Sequence, residues 1–234
     1  MKENRADRKI KTINLNETGS WTDIRQFMMS LPKEQILHSE NVKKYMEIFA
    51  NIMQYAELEN ASEIEEEYLF YGRSAYYHDI GKSMVPGEIL TKPDRLSAGE
   101  YRIIQKHTVY ARELFYQVDF GIITGMPHAL FHLAKEAAVY HHEWWNGKGY
   151  PYGLRGEKIP FFARATALCD AYDAMTSNRS YREEGTHEYV CQKMKCNAGI
   201  QFDPKLAQIF LSHEELFHKE NEKIKLSQLQ IAGI

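Results

Sequence analysis

The stretch His78-Asp79-Ile80-Gly81-Lys82 holds the densest chemistry in the chain. Adjacent side chains diverge on most backbones, so a His-Asp doublet can offer an imidazole nitrogen to one cation and a carboxylate oxygen to its neighbour. Further donors of the same types stand at helical positions: His38, His107, the pair His141-His142, and Asp170. Any one of these, met alone, reads as a hydrogen-bonded core residue. Together they exceed the four ligands that a single zinc takes, and the pattern predicts a polynuclear site of nitrogen and oxygen donors.

Helices must carry these donors. Ser30-Leu31-Pro32 reads as a helix start, and Val42, Tyr45, Met46, Phe49 and Met53 keep a 3.6-residue period, which predicts a helix over about 32–57 with His38 in its early turns. Ser62 and Glu65 make a capping box whose helix runs through Leu69, Phe70 and Tyr76 into His78, with Gly81 as its stop. Residues 83–96 hold Pro86 and Pro93 and read as an ordered loop with a helical turn around Glu88-Ile89-Leu90. A second capping box, Ser97 with Glu100, opens a helix that puts Ile103, Ile104, His107, Ala111, Leu114 and Phe115 on one face, so His107 points inward.

After a break at 119–127, Leu130, Phe131, Ala134, Ala137, Ala138 and His141 describe a buried helix that ends on the His pair. The Gly- and Pro-rich stretch 144–160 bends sharply beside that pair, and a long structured loop next to ligands is usually functional. Phe161 to Met175 form the next helix, in which Asp170 sits among apolar residues and needs a cationic partner. A polar loop from Thr176 to Arg182, a helix over 186–197 and an Asp203-Pro204 helix start complete the pattern. The Glu- and Lys-rich stretch 213–226 reads as a solvated face or tail, and His128, His132, His187, His213 and His218 read as surface residues. With no strand pairs and no repeat, the class expected is all-α.

Composition narrows the function. The 234 residues are 44% hydrophobic, enough for one large domain, and the net charge of −3 provides no basic field for long nucleic acid or an anionic membrane. Any phosphate-bearing ligand must therefore meet a local cationic cluster. The three cysteines, Cys169, Cys191 and Cys196, form no CxxC pair, which favours a reducing compartment, and no apolar window reaches membrane-span length, so a cytoplasmic protein is expected.

Read in order, these residues resemble the HD-GYP family, the branch of HD-domain phosphohydrolases that hydrolyses cyclic di-GMP. The matching text is His78-Asp79-Ile80-Gly81-Lys82, His107, His141-His142-Glu143, Gly149-Tyr150-Pro151, Asp170-Ala171-Tyr172-Asp173-Ala174-Met175, Arg179-Ser180-Tyr181-Arg182 and Phe202-Asp203-Pro204. The resemblance implies a helical bundle around two or three divalent ions, iron or manganese. It makes His78, Asp79, His107, His141, His142 and Asp170 ligands, with Asp79 as the bridge. Trinuclear members add a Glu and a His four residues apart, the spacing of Glu34 and His38.

By the same resemblance Asp79 and Lys82 are catalytic, while Lys82, Tyr150, Arg179 and Arg182 contact substrate. The implied reaction is in-line attack on phosphorus by water acidified between the ions, giving linear pGpG and, by further cleavage, GMP. Alternatives are an HD hydrolase of another cyclic dinucleotide or phosphorylated small molecule, and a catalytically silent cyclic di-GMP receptor. The expected organisation is an N-terminal arm over 1–30, the catalytic domain over 31–212, and a C-terminal helix end and tail over 213–234. A cyclic dinucleotide is the implied partner, an upstream signalling partner is unnamed, and a homodimer is compatible with the pattern. Two departures from the family text are Asn146 in place of the usual Asp and a long His107–His141 interval, which is expected to add a loop near the substrate mouth.

Arg179 and Arg182 carry forked donors suited to phosphate oxygens rather than to cations. Replacing both with Ala is expected to leave bound metal unchanged and raise KM for a cyclic dinucleotide, each lost charge-assisted bond weakening binding by about 1.5–3 kcal/mol. Steady-state kinetics beside metal analysis checks this.

Overall fold

The long helix α2 (Lys33–Tyr55) forms because its apolar residues recur every three or four positions, and the face they make is buried: Val42, Tyr45, Met46, Phe49, Ala50 and Met53. A computed structural model describes residues 21–55, 68–177 and 185–232. Around α2 stand α1 (Ile24–Met29), α3 (Tyr68–Ala75), α4 (Gly87–Leu90), α5 (Ala98–Gln105), α6 (His107–Asp119), α7 (His128–Tyr140), α8 (Phe161–Thr176), α9 (His187–Asn197), α10 (Pro204–Ser212) and α11 (Glu214–Ala232). Only isolated bridges, such as Asp23 with Thr124, relieve the helical pattern among the described residues, so the chain is all-α. No helix among them is long and apolar enough to cross a membrane.

Two apolar clusters share the interior. One joins α2, α8, α10 and α11 through Tyr45, Phe49, Tyr172, Phe210 and Phe217, and the other joins α1, α6 and α7 through Ile24, Phe27, Leu114, Phe115 and Ala138. The polar donors lie where elements of both clusters converge.

Several local expectations hold. Ser and Asp chemistry sets helix ends as read: Ser97 Oγ accepts from the Glu100 backbone N–H at 3.3 Å, and the Glu100 carboxylate accepts from the Ser97 N–H at 2.7 Å. Asp203 caps α10 by accepting from the Lys205 N–H at 2.8 Å, and Arg164 pairs with the same carboxylate. The Ser62–Glu65 box and residues 1–20 of the expected N-terminal arm lie outside the described residues.

Other expectations are corrected. α3 ends at Ala75 and the His-Asp doublet follows it in a turn that leads into a 3-10 segment, Ile80–Met84. Gly81 does not cap α3. It lets that segment press against α6, since a Cβ there would stand 1.9 Å from the His107 carbonyl oxygen. The single helix expected across 97–115 breaks at Lys106, which places His107 in the first turn of α6. The long His107–His141 interval does not bring a loop to the site. His107 opens α6 and His141 closes the antiparallel α7, so their connection lies at the far end of the pair, about 20 Å away at 1.5 Å per residue.

Both ends of the described chain pack more than their composition foretells. α1 buries Ile24, Phe27 and Met28. The Glu- and Lys-rich stretch forms α11, whose Phe217 is fully buried and stacks on Phe210 with ring centroids 3.7 Å apart, while Asn221 accepts from the Tyr45 hydroxyl at 3.1 Å. His187 is buried, contrary to the surface position expected of it, because α11 covers it with a stacked His218. His132 is exposed as read and pairs with Glu136.

Phe217→Ala removes a fully buried ring and is expected to cost about 3–5 kcal/mol of stability. The exposed Leu226→Ala should change it by no more than about 0.5 kcal/mol. Urea unfolding of both variants tests whether α11 belongs to the core.

Candidate metal centre

Asp79 is 1% exposed, and its two carboxylate oxygens face different groups of donors. Oδ1 lies 3.4 Å from His107 Nε2 and 3.8 Å from His141 Nε2, whereas Oδ2 lies 3.3 Å from His78 Nε2 and 3.8 Å from His38 Nε2. Donor atoms of Asp79, His107, His141 and His142 fall within 4.8 Å of one another, and so do those of His38, His78 and Asp79. One carboxylate therefore belongs to both groups.

The rings are aimed by their other nitrogens. His78 Nδ1–H donates to the Ala75 carbonyl at 2.9 Å, His107 to Ile104 at 2.8 Å and His141 to Ala137 at 2.7 Å. Each acceptor lies in the last turn of a helix, where carbonyls retain capacity that the helix does not use. The tautomer so chosen turns each Nε2 lone pair toward Asp79. These three Nε2 atoms and Asp79 Oδ1 are buried and find no hydrogen-bond partner among the described residues. Buried acceptors of this kind fit a cation, because otherwise each loses its water without replacement. Two donors about 2.1 Å from one ion stand roughly 3.0–3.4 Å apart, close to the shorter separations above.

Charge agrees with this geometry. Burial alone would raise the Asp79 carboxyl, but the Lys82 ammonium and the adjacent His rings hold it well below the usual range. Burial lowers His107 to about 3 and His142 to about 4, so both rings are neutral, lone pairs available, at ordinary pH. His38 goes the other way: burial lowers it, but bonds to Asp170 and Asp173 override that and raise it to about 9. Its Nε2 is 3.0 Å from Asp170 Oδ1 and its Nδ1 is 2.6 Å from Asp173 Oδ2.

The HD-domain family model matches residues 30–206. The chain belongs to the HD-domain family. Within it, the Gly149-Tyr150-Pro151 loop beside the His pair marks this HD domain as the HD-GYP type. It is 35% identical, over 79% of its length, to 3'3'-cGAMP-specific phosphodiesterase 2 of Vibrio cholerae, covering 32% of that protein. It is likewise 35% identical to a cyclic di-GMP phosphodiesterase of Vibrio cholerae over 76% of the chain and 35% of the relative. A cyclic di-GMP phosphodiesterase of Thermotoga maritima is 33% identical over 61% of the chain and 36% of the relative. The chain thus spans about a third of the length of these relatives. An HD domain takes divalent metal, and the two His/Asp groups are where this one can hold it.

The remaining site residues fall around this HD centre. Lys82 Nζ donates to Asp79 Oδ2 at 2.6 Å and to Gln35 Oε1 at 2.9 Å. The Tyr150 ring stacks on His142, with centroids 4.7 Å apart and 28° between planes. Glu34 is exposed in the first turn of α2 and outside both donor groups, one turn before His38. Arg179 and Arg182 lie outside the described residues.

Three contributors had no assigned role in the sequence reading. Asp173 orients His38, and its spacing of three from Asp170 on one buried helix was the available signal. Gln35 steadies Lys82, with no signal in its type. Glu143, buried between His142 and the loop, accepts from the Tyr152 N–H at 2.7 Å and the Leu154 N–H at 2.9 Å, and so ties the loop to the His pair. Gly149 lets the loop close on that pair, as a Cβ there would stand 2.2 Å from the Trp144 nitrogen. Asn146 Oδ1 accepts from the Lys148 N–H at 2.9 Å, a turn that the more usual Asp makes equally well.

Asp173→Asn should weaken divalent-metal binding at the His38 group by about 10- to 100-fold, since an orienting carboxylate is lost while the ligands stay. In the wild type, a cation that takes His38 Nε2 must displace its proton. Affinity is therefore expected to rise with pH up to about 9 and to level off above it. Chelator competition across that range measures both effects.

Proposed function

We propose that this chain is a metal-dependent phosphodiesterase that hydrolyses a cyclic dinucleotide, cyclic di-GMP in the first instance, to linear pGpG and onward to GMP. The observation that carries the reading is the shared Asp79 carboxylate with one oxygen in each His group, an arrangement suited to two adjacent divalent ions. The names of the relatives support the substrate class. The proposed ions are iron or manganese, in keeping with ligands that are all nitrogen and oxygen.

When bound, such ions supply an acidified water and neutralise phosphate charge. His78, His107, His141, His142 and His38 would hold them with Asp79 and Asp170. Lys82, kept at the edge of the group by Gln35, is positioned to meet the charge that builds on the phosphoryl oxygens. Attack of water on phosphorus breaks the bond to the ribose 3′ oxygen, which takes the proton and leaves a 5′ phosphate on the linear product. Burial raises the Tyr150 phenol, so it stays protonated and offers a hydroxyl donor beside a ring face that can meet a base. Arg179 and Arg182 complete the proposed phosphate grip, the local cationic cluster that an acidic chain requires.

A mixed GMP–AMP dinucleotide is the second reading, favoured by relatives whose names specify 3'3'-cGAMP. Anaerobic purification with metal analysis, then product chromatography on a panel of cyclic dinucleotides, decides between them. Linear pGpG from cyclic di-GMP at the highest kcat/KM supports the first, and faster turnover of the mixed dinucleotide the second. Absence of turnover on the whole panel, in protein carrying two or more ions per chain, overturns both. Asp79→Ala is expected to abolish turnover and lower bound metal. Lys82→Ala should retain metal and lower kcat by about 100-fold or more, as expected for a preorganised charge lost from the transition state.

A further inference from the structure

A second constellation of donors stands away from Asp79. α9 carries His187 and Cys191, and α11 carries Glu214 and His218, each pair four residues apart on one helical face. Donor atoms of His187, Cys191 and Glu214 lie within 4.8 Å of one another, and Cys191 Sγ is 3.6 Å from His187 Nε2. His187 Nδ1 is 2.9 Å from the Tyr172 hydroxyl. The sulfur stands over the edge between the two ring nitrogens, 3.7 Å from Nδ1 and 3.6 Å from Nε2. His218 stacks on His187, and its Nδ1 is buried without a hydrogen-bond partner among the described residues.

We propose that His187, Cys191 and Glu214 form a second, mononuclear site for a zinc-class divalent cation, with His218 as the fourth donor. A thiolate, imidazoles and a carboxylate make a borderline-soft set of four, which suits tetrahedral zinc better than the hard cations fitted to the Asp79 centre. Packing alone accounts for the His187–Tyr172 bond. It does not account for the orphaned His218 nitrogen. Cys191 and Glu214 also line a surface pocket bordered by Lys195 and Gln208, so an ion can enter without unfolding. The site joins α9 to α11 and, through Tyr172, touches α8 between Asp170 and Asp173.

The probe is Co²⁺ added to the full chain kept reduced. Because the donor groups around Asp79 contain no sulfur, a thiolate-to-cobalt charge-transfer band reports the second site alone. The wild type should develop this band with tetrahedral visible absorption, its intensity saturating at that of one thiolate-bound Co²⁺ per chain and bleached by Zn²⁺. Cys191→Ser should abolish it. Glu214→Gln and His218→Gln change partly exposed positions, and each should weaken cobalt binding by about tenfold or more while the metal-free melting temperature stays unchanged. They keep the test open should Cys191→Ser misfold. No thiolate band in reduced, folded wild type overturns the proposal, as does a band that survives Cys191→Ser and must come from Cys169 or Cys196.

Discussion

A buried carboxylate shared by two groups of imidazoles is the constraint on which the rest of the structure depends. Withdrawing Asp79 from water is costly unless positive charge meets both of its oxygens. Lys82 reaches only Oδ2, while Oδ1 faces His nitrogens alone. The helices α3, α5 and α7 end where they do in service of this carboxylate. Their last-turn carbonyls take the Nδ1 protons of His78, His107 and His141 and so turn three lone pairs inward. The Ala75 and Ala137 carbonyls also accept the backbone N–H of the same histidine, at 3.0 and 3.2 Å, so main chain and ring together fix His78 and His141 at their helix ends.

The loop after the His pair is held by the same economy of contacts. Glu143 follows the His pair directly, yet its carboxylate accepts two backbone N–H groups of the loop. With Gly149 allowing close approach and the Tyr150 N–H donating to the His142 carbonyl at 3.1 Å, the Tyr150 ring is laid against His142. His142 and Tyr150 are thereby positioned by one short segment. On the opposite side, α8 presents Asp170 and Asp173 to His38 from a helix that is buried against α2 and α11.

Residue types and helical period were enough to expect an all-α chain and to single out His38, His78, Asp79, His107, His141, His142 and Asp170 as candidate donors, while the HD-GYP type came from the resemblance of the motif text. Helical period reports which face of a segment is apolar, and ligand chemistry reports what a donor can bind. Neither reports which neighbour covers a face. The supporting roles of Asp173, Glu143 and Gln35, the break at Lys106 and the close packing of Gly81 all arise from approach between segments distant in the chain. The same holds for α11: its many Glu and Lys residues hide a stripe of Phe217, Asn221 and Ile224, and only its docking on α2 buries them and, with them, His187. Composition records average polarity, whereas burial depends on where the helix is laid, and that is a property of the folded chain.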